Sequence, residues 1–475
     1  MTAIVGIDVG TTSVKALAVS PTGDVLARAE EEYPLSVPRP GWSEQHPEDW
    51  WQATQGALKR LQVHEIAGIG IAGQMHGLVL LDEQLHVLRP AILWNDQRTA
   101  AECREIEERI GLDRLIGLTG NRPFTGFTAP KLLWVRRHEP DVYARIAHLV
   151  LPKDYVRLKL TGERATDVAD ASGTLFFDVA RRRWSDELVR ELELPSDILP
   201  RVHESPESSG ETPIGIPVAA GAGDQAAGAL GAGVDRPGPF SVNVGTSGVV
   251  FAVLPGFQAD PEARVHTFCH AVPGTWHAMG VMLSAAGSLQ WLRGTLAPGT
   301  SFDELVAGAE TWEPGAEGLT FLPYLAGERT PHADPDARGA FVGLSLRHDR
   351  SALVRAVLEG VAYGLRDSLE LLRSLGVRPE IGRLVGGGAR SDLWSRILAS
   401  VLGVPLEVLE VDEGTAFGAA LLGGVAGGVF GDVGEAVGAC VRVRDVVEPE
   451  PAWSESYRAG YARFRALYPA LRGVE

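Results

Sequence analysis

The sequence predicts a mixed α/β fold in two lobes, on three observations. The chain is too long for one core, strands alternate with amphipathic helices, and an opening motif recurs halfway along. At 475 residues the length exceeds the roughly 250 to 300 residues over which a single core keeps growing. With 45% hydrophobic and 22% charged residues, the composition is that of a folded protein.

Residues 3–9 (AIVGIDV) read as a buried strand, 14–19 as a second and 25–29 as a third, with Gly10-Thr11-Thr12 and Pro21-Thr22-Gly23 as the intervening turns. Residues 47–61, carrying Trp50, Trp51 and Leu58, read as a helix and 66–71 as a strand. At a shift of 235 residues the opening returns: Val9, Gly10, Thr11 and Val14 fall on Val244, Gly245, Thr246 and Val249, while Asp8 falls on Asn243. Coincidence in a Gly-rich chain competes with duplication as the explanation. Pro237-Gly238-Pro239 breaks both helix and strand, so it is the expected linker between lobes 1–236 and 237–475. Beyond it, apolar residues from Val354 to Leu372 recur at three- and four-residue spacing, with Gly376 as the stop. A strand at 383–385, a turn at Gly386-Gly387-Gly388 and a helix capped by Ser391 and ending before Gly403 follow. The Gly- and Ala-rich stretch 414–439 reads as a closely packed helix.

Lys and Arg total 44 against 61 Asp and Glu, a formal charge of -17 that repels phosphodiester backbones and anionic lipid. Nucleic-acid and membrane partners are not expected. A local basic pocket for one anion remains allowed. Cys103, Cys269 and Cys440 lie far apart and outside any CxxC spacing, so a disulfide framework or zinc site is not expected and a reducing cytoplasm is. No signal-peptide pattern or apolar run of about 18 residues occurs. A homodimer is left open.

Gly68-Ile-Gly-Ile-Ala-Gly73 matches G-x-G-x-x-G in form, but its glycines fall inside a strand and not between strand and helix, which argues against dinucleotide binding. No P-loop, H-E-x-x-H or G-x-S-x-G is present. The Gly-Thr turns offer another phosphate device, since Gly lets backbone amides approach and Thr hydroxyls donate. Asp8 before the first turn and Lys15 after it offer a carboxylate to a divalent cation and an ammonium to a phosphate; an ordinary hairpin with flanking charges is the plainer reading. Asp224 stands where a Gly-rich turn passes into an Ala-rich helix, at or near the N-cap. There it is expected to be ionised and able to accept a proton from a bound hydroxyl, although capping alone also explains it. In Gly73-Gln-Met-His-Gly77 a loop presents Gln74 and His76 to a polar ligand. Trp94, Asn95 and Asp96 set an aromatic face beside an amide and a carboxylate, a set suited to sugars; a surface turn is the alternative.

Taken together, GIDVGTTSVK (6–15), GQMHG (73–77), ILWNDQR (92–98), AGDQAAGA (222–229), NVGTSG (243–248) and GGGARSDLW (386–394) resemble the FGGY carbohydrate kinases. With LPKDY (151–155), DASGTLFFDV (170–179) and FLPYLAGERTPH (321–332), the chain is most similar to the branch acting on the ketopentose D-xylulose. The resemblance implies two actin-like, ribonuclease-H-like lobes around a cleft. It implies ATP-dependent phosphorylation of D-xylulose to D-xylulose 5-phosphate in xylose catabolism, with ATP and Mg2+ as cofactors. A kinase for another ketose or polyol, or a non-catalytic actin-like ATP switch, are the alternatives. Carried over, Asp224 is the base for the 5-hydroxyl, Met75 and His76 contact the sugar, and Asp8 helps to hold magnesium. Thr11, Thr12, Lys15, Gly245, Thr246 and Ser247 surround the phosphates, and Gly387, Gly388 and Asp392 lie against the nucleoside. The family's usual Asn after the catalytic Asp is Gln225 here.

Overall fold

The computed structural model describes residues 2–411 and 413–472. Strands Ala3–Val9, Ser13–Val19 and Val25–Glu32 form an antiparallel meander, as the two turn signals require. Ile66–Gly73 joins the free edge of Ala3–Val9 in parallel, and Pro217–Ala219 and Ala222–Gly223 pair with it in parallel in turn. In the second sheet Pro239–Val244 runs antiparallel to Gly248–Leu254, which pairs antiparallel with Trp276–Met282. Ile381–Val385 joins the free edge of Pro239–Val244 in parallel, followed in parallel by Leu406–Leu409. Both sheets thus share one central order, three antiparallel strands with parallel strands added to the far edge of the first; the second sheet adds His266–Cys269 outside Trp276–Met282. Duplication, and not coincidence, explains the recurring motif: the fold is a two-sheet, actin-like α/β architecture.

The helices follow their signals. Pro47–Leu61 forms as expected, with Trp50 wholly buried. Arg350–Ser374 is capped by the Asp349 carboxylate, which accepts from the Ala352 amide at 3.0 Å. Ser391 caps Asp392–Leu402, and Gly403 ends it in a left-handed conformation. The stretch 414–439 is two helices, Gly414–Ala426 and Val433–Cys440, the second capped by Asp432.

Helix Gly414–Ala426 comes from the second half of the sequence but lies on the first sheet, and it explains the G-x-G-x-x-G pattern. A Cβ on Gly68 would overlap the carbonyl oxygen of Gly423, and one on Gly70 that of Ala419. The glycines therefore form a track that admits a helix at backbone contact. The same helix meets Asp224–Gly231, where Gly418 lies against the Ala227 carbonyl. Gly70→Ala should destabilise the protein by ~1–3 kcal/mol through overpacking. Gly294→Ala, in helix Ala286–Leu296 with no atom within 4 Å of the added carbon, should be neutral or stabilising. Urea unfolding of the two variants checks the contrast.

Candidate active site

Val9, Gly73 and Gly223 lie in register at the ends of three adjacent parallel strands. Asp8, Gln74 and Asp224 therefore emerge together at the carboxyl edge of the sheet, the place where open α/β sheets bind ligands. A cavity of about 250 Å³ opens there, lined by Asp8, Lys15, Asp224, Asn243, Gly386 and Thr415 among others.

Asp224 is one residue further into its helix than a cap would be. Gly223, in an extended conformation, is the N-cap, and no side chain caps the helix. In the first turn the carboxylate's hydrogen-bond partner is Gln225. Burial raises its pKa to about 6, against hydrogen bonds from the backbone and side chain of Gln225 that pull it down. The expected stabilisation of the ionised form is corrected accordingly, because desolvation outweighs the helix dipole here. A pKa near 6 still leaves the base form predominant at pH 7, close to the optimum for a proton acceptor. Gln225 takes part in holding that carboxylate.

Asp8 is raised to about 7 by burial and then by the Asp224 charge beside it, with Lys15 acting in the opposite sense. Its Oδ1 is buried without a hydrogen-bond partner. Lys15 Nζ bonds Glu413 Oε2 at 3.0 Å, and Glu413 also meets Arg28 at 3.3 Å. Glu413 reaches this site from 398 positions away, and no local motif marks it.

Gln74 is buried, donating to the Gly10 carbonyl at 3.0 Å and to Gln45 Oε1 at 3.1 Å. Thr11 Oγ1 stands between Gln74 Oε1, 3.5 Å away, and Trp94 Nε1, which donates to it at 3.0 Å. Trp94 keeps 44% of its surface exposed. Asn95 Oδ1 is buried without a partner. Asp96 has no exposed surface, and its oxygens accept from the Ser43 amide and from Arg98.

Met75 packs where Gly223 lacks a side chain, beside Asp224. His76 adopts φ of 68° and stacks on Phe127 with ring centroids 4.4 Å apart. Its Nδ1 lies 2.7 Å from the Gly173 carbonyl, which can only accept, so Nδ1 carries the proton. Burial lowers the imidazole pKa to about 3 against that bond. The neutral ring is left with Nε2 as an acceptor.

The second cavity, of about 1050 Å³, is lined by Gly245, Thr246, Gly387 and Asp392, with Leu289, Phe302 and Val306 on its apolar side. A Cβ on Gly387 would meet no atom within 4 Å, whereas one on Gly388 would run into Val244. Gly387 leaves open space, while Gly388 serves the packing of the turn. Thr12 and Ser247 stand exposed on their turns. Gly386 lines the first cavity and Gly387 the second, so the two adjoin.

These features fit ATP with Mg2+. Among the described residues no group of three His, Cys, Asp or Glu side chains could hold a metal alone. Magnesium needs none, since it keeps waters and binds through one or two carboxylates plus phosphate, and the orphaned Asp8 oxygen is a suitable carboxylate. The second cavity offers glycine turns for phosphates and an apolar wall for a base.

A duplicated actin-like fold, with two buried carboxylates in one cavity and glycine turns opening on the next, defines a phosphotransferase of the sugar-kinase type. The family's own models agree in both halves: residues 3–231 match the FGGY N-terminal domain and 240–427 the C-terminal domain. The chain belongs to the FGGY family of carbohydrate kinases. It is 47% identical to the xylulose kinase of Escherichia coli over 89% of this chain and 90% of that protein. It is 39% identical to the xylulose kinase of Bacillus subtilis, over 98% and 96% of the two chains. The crystal structure of a kinase from Brucella ovis, described as a xyloylose kinase, superposes with a TM-score of 0.94 at 43% identity, covering 100% of both chains. Among the described residues no helix is long and apolar enough to cross a membrane.

Proposed function

We propose that this enzyme transfers the terminal phosphoryl group of ATP to O5 of D-xylulose, giving D-xylulose 5-phosphate, a step of xylose metabolism. The observation that carries the reading is the in-register emergence of Asp8, Gln74 and Asp224 between the Met75-His76 loop and the cavity lined by Gly245, Thr246 and Gly387. The xylulose kinases it resembles at 39–47% identity support the choice of sugar.

When bound, MgATP supplies the phosphoryl group and the cation that draws charge from it. Asp8 would hold the magnesium. Thr11, Thr12, Lys15, Gly245, Thr246 and Ser247 would surround the phosphates, and Gly387, Gly388 and Asp392 would lie along the nucleoside. Asp224 takes the proton of the 5-hydroxyl as its oxygen bonds to phosphorus. His76 accepts a sugar hydroxyl at Nε2, and Met75, Trp94 and Asn95 contact the sugar, with Gln74 and Asp96 bracing that wall. The two sheets divide the chain into lobes at 1–236 and 237–475, with helix Gly414–Ala426 of the second stretch crossing to pack on the first sheet. The sheet strands support this division, since the first sheet draws on residues 3–223 and the second on 239–447. The enzyme works in the cytoplasm, a reading supported by three unpaired cysteines; sedimentation velocity tests the homodimer.

Phosphorus–proton correlation NMR of the product tests the reading. An ester at O5 of D-xylulose is expected. Phosphorylation at another oxygen moves the sugar in the site, and release of inorganic phosphate alone favours the ATP switch.

A further inference from the structure

Lys131 is wholly buried in helix Thr128–His138, next to the sugar side of the cleft. Its ammonium donates to the His76 carbonyl at 2.8 Å and to the Gly126 carbonyl at 2.6 Å. Among the described residues no carboxylate forms an ion pair with it. A buried ammonium with no carboxylate in direct contact is costly, and burial drives its pKa well below the ordinary range, with the more distant Asp96 charge acting in the opposite sense and Arg98 adding to the fall. A methionine would fill the same space without that cost but would take a donor from the His76 and Gly126 carbonyls, so the lysine is kept for what it bonds.

What the lysine holds is an unusual backbone. His76 is a bulky residue at φ of 68°, a conformation that persists only where its surroundings over-determine it. Thr128 Oγ1 donates to the same His76 carbonyl at 3.1 Å, so Lys131 and Thr128 together fill both lone pairs. From the other side the Gly173 carbonyl takes Nδ1–H, and Phe127 stacks against the ring. Carbonyl, ring face and one ring nitrogen are each fixed, and Nε2 is left to meet a ligand.

We propose that Lys131 is a positioning residue for sugar recognition, clamping the left-handed turn at His76 so that the imidazole presents Nε2 to the acceptor sugar. The inference rests on the reading of His76 as a sugar contact. Lys131 touches neither reacting atom, so its effect falls on sugar KM and not on the nucleotide.

Steady-state kinetics of Lys131→Met, Lys131→Gln, His76→Asn and the double variant Lys131→Met/His76→Asn test it. Lys131→Met should raise the D-xylulose KM about tenfold with the ATP KM unchanged, and Lys131→Gln, which keeps two donors, should recover part of the loss. Because Lys131 acts through His76, the double variant should be no worse than His76→Asn alone. Nitrogen-15 NMR should show a single Nδ1–H tautomer at His76 in the parent and a mixture in Lys131→Met. Should Lys131→Met fail to fold, Thr128→Val removes the other donor and should shift KM in the same direction by less. Fully additive losses, or an unchanged sugar KM in Lys131→Met, overturn the clamp while leaving His76 in the site. An unchanged sugar KM in His76→Asn overturns the reading of His76 and the clamp with it.

Discussion

Asp224→Asn should lower kcat for D-xylulose by about 10²- to 10⁴-fold, the range over which a positioned general base acts. The amide has the carboxylate's shape but cannot take the hydroxyl proton. Because Gly223 is the N-cap, the substitution removes no cap bond and the helix should survive it. Stability should not fall at neutral pH, and the sign follows from the pKa. A carboxyl raised in the folded state to about 6, against ~3.9 in an unfolded chain, binds its proton more tightly when folded. It therefore favours folding at low pH and weakens it as pH rises through that interval. Asn removes that penalty. The two carboxylates set the rate profile together: kcat/KM should be level above about pH 8 and fall with decreasing pH as Asp8, raised to about 7, and then Asp224 take up protons, and Asp224→Asn should lose the lower part of that limb. Near-parental turnover in the variant, or an unchanged limb, would remove Asp224 from the base role.

Asp8→Asn should lower kcat about a hundredfold, equivalent to roughly 2.7 kcal/mol of barrier, and shift the magnesium dependence to higher concentration. The sugar KM should change by less than about threefold. An amide oxygen is a poorer partner for a hydrated cation than a carboxylate. The fold tolerates the change, since Asn243 holds the same strand position in the second sheet: Asp8 faces Lys15 across the meander and Asn243 faces Val249. Initial rates across a magnesium titration check both parts. Unchanged activity at every magnesium concentration would exclude Asp8 as the cation's carboxylate.

The strands and helices were legible wherever one element carries its own signal. Ala3–Val9, Pro47–Leu61, Arg350–Ser374 and Asp392–Leu402 each combine apolar periodicity with a cap or turn residue, which is local information. The glycines of Ile66–Gly73 were legible only as an anomaly, because their purpose lies in helix Gly414–Ala426, some 350 positions on. The ionised state of Asp224 at neutral pH was legible, but not the upward direction of its pKa shift: helix-end electrostatics can be read from sequence, whereas desolvation depends on what closes over the group. The candidate site was legible where backbone and side chain share one motif, as at Gly245-Thr246, which lines the second cavity. Lys131 and Glu413 were not, since a lysine in TAPKLLW or a glutamate before a glycine-rich helix acquires meaning only from His76, Lys15 and Arg28.

On the proposed function, these carboxylates, loops and glycine turns form one sugar-phosphorylating site selective for D-xylulose. An ADP-release assay over D-xylulose, L-ribulose and glycerol measures it directly. A sugar site with buried polar groups penalises analogues that leave them unpaired, so D-xylulose should have the highest kcat/KM, with ADP released strictly in step with sugar phosphate. A tenfold preference for L-ribulose or glycerol, or ADP release indifferent to any sugar, would exclude a site selective for D-xylulose.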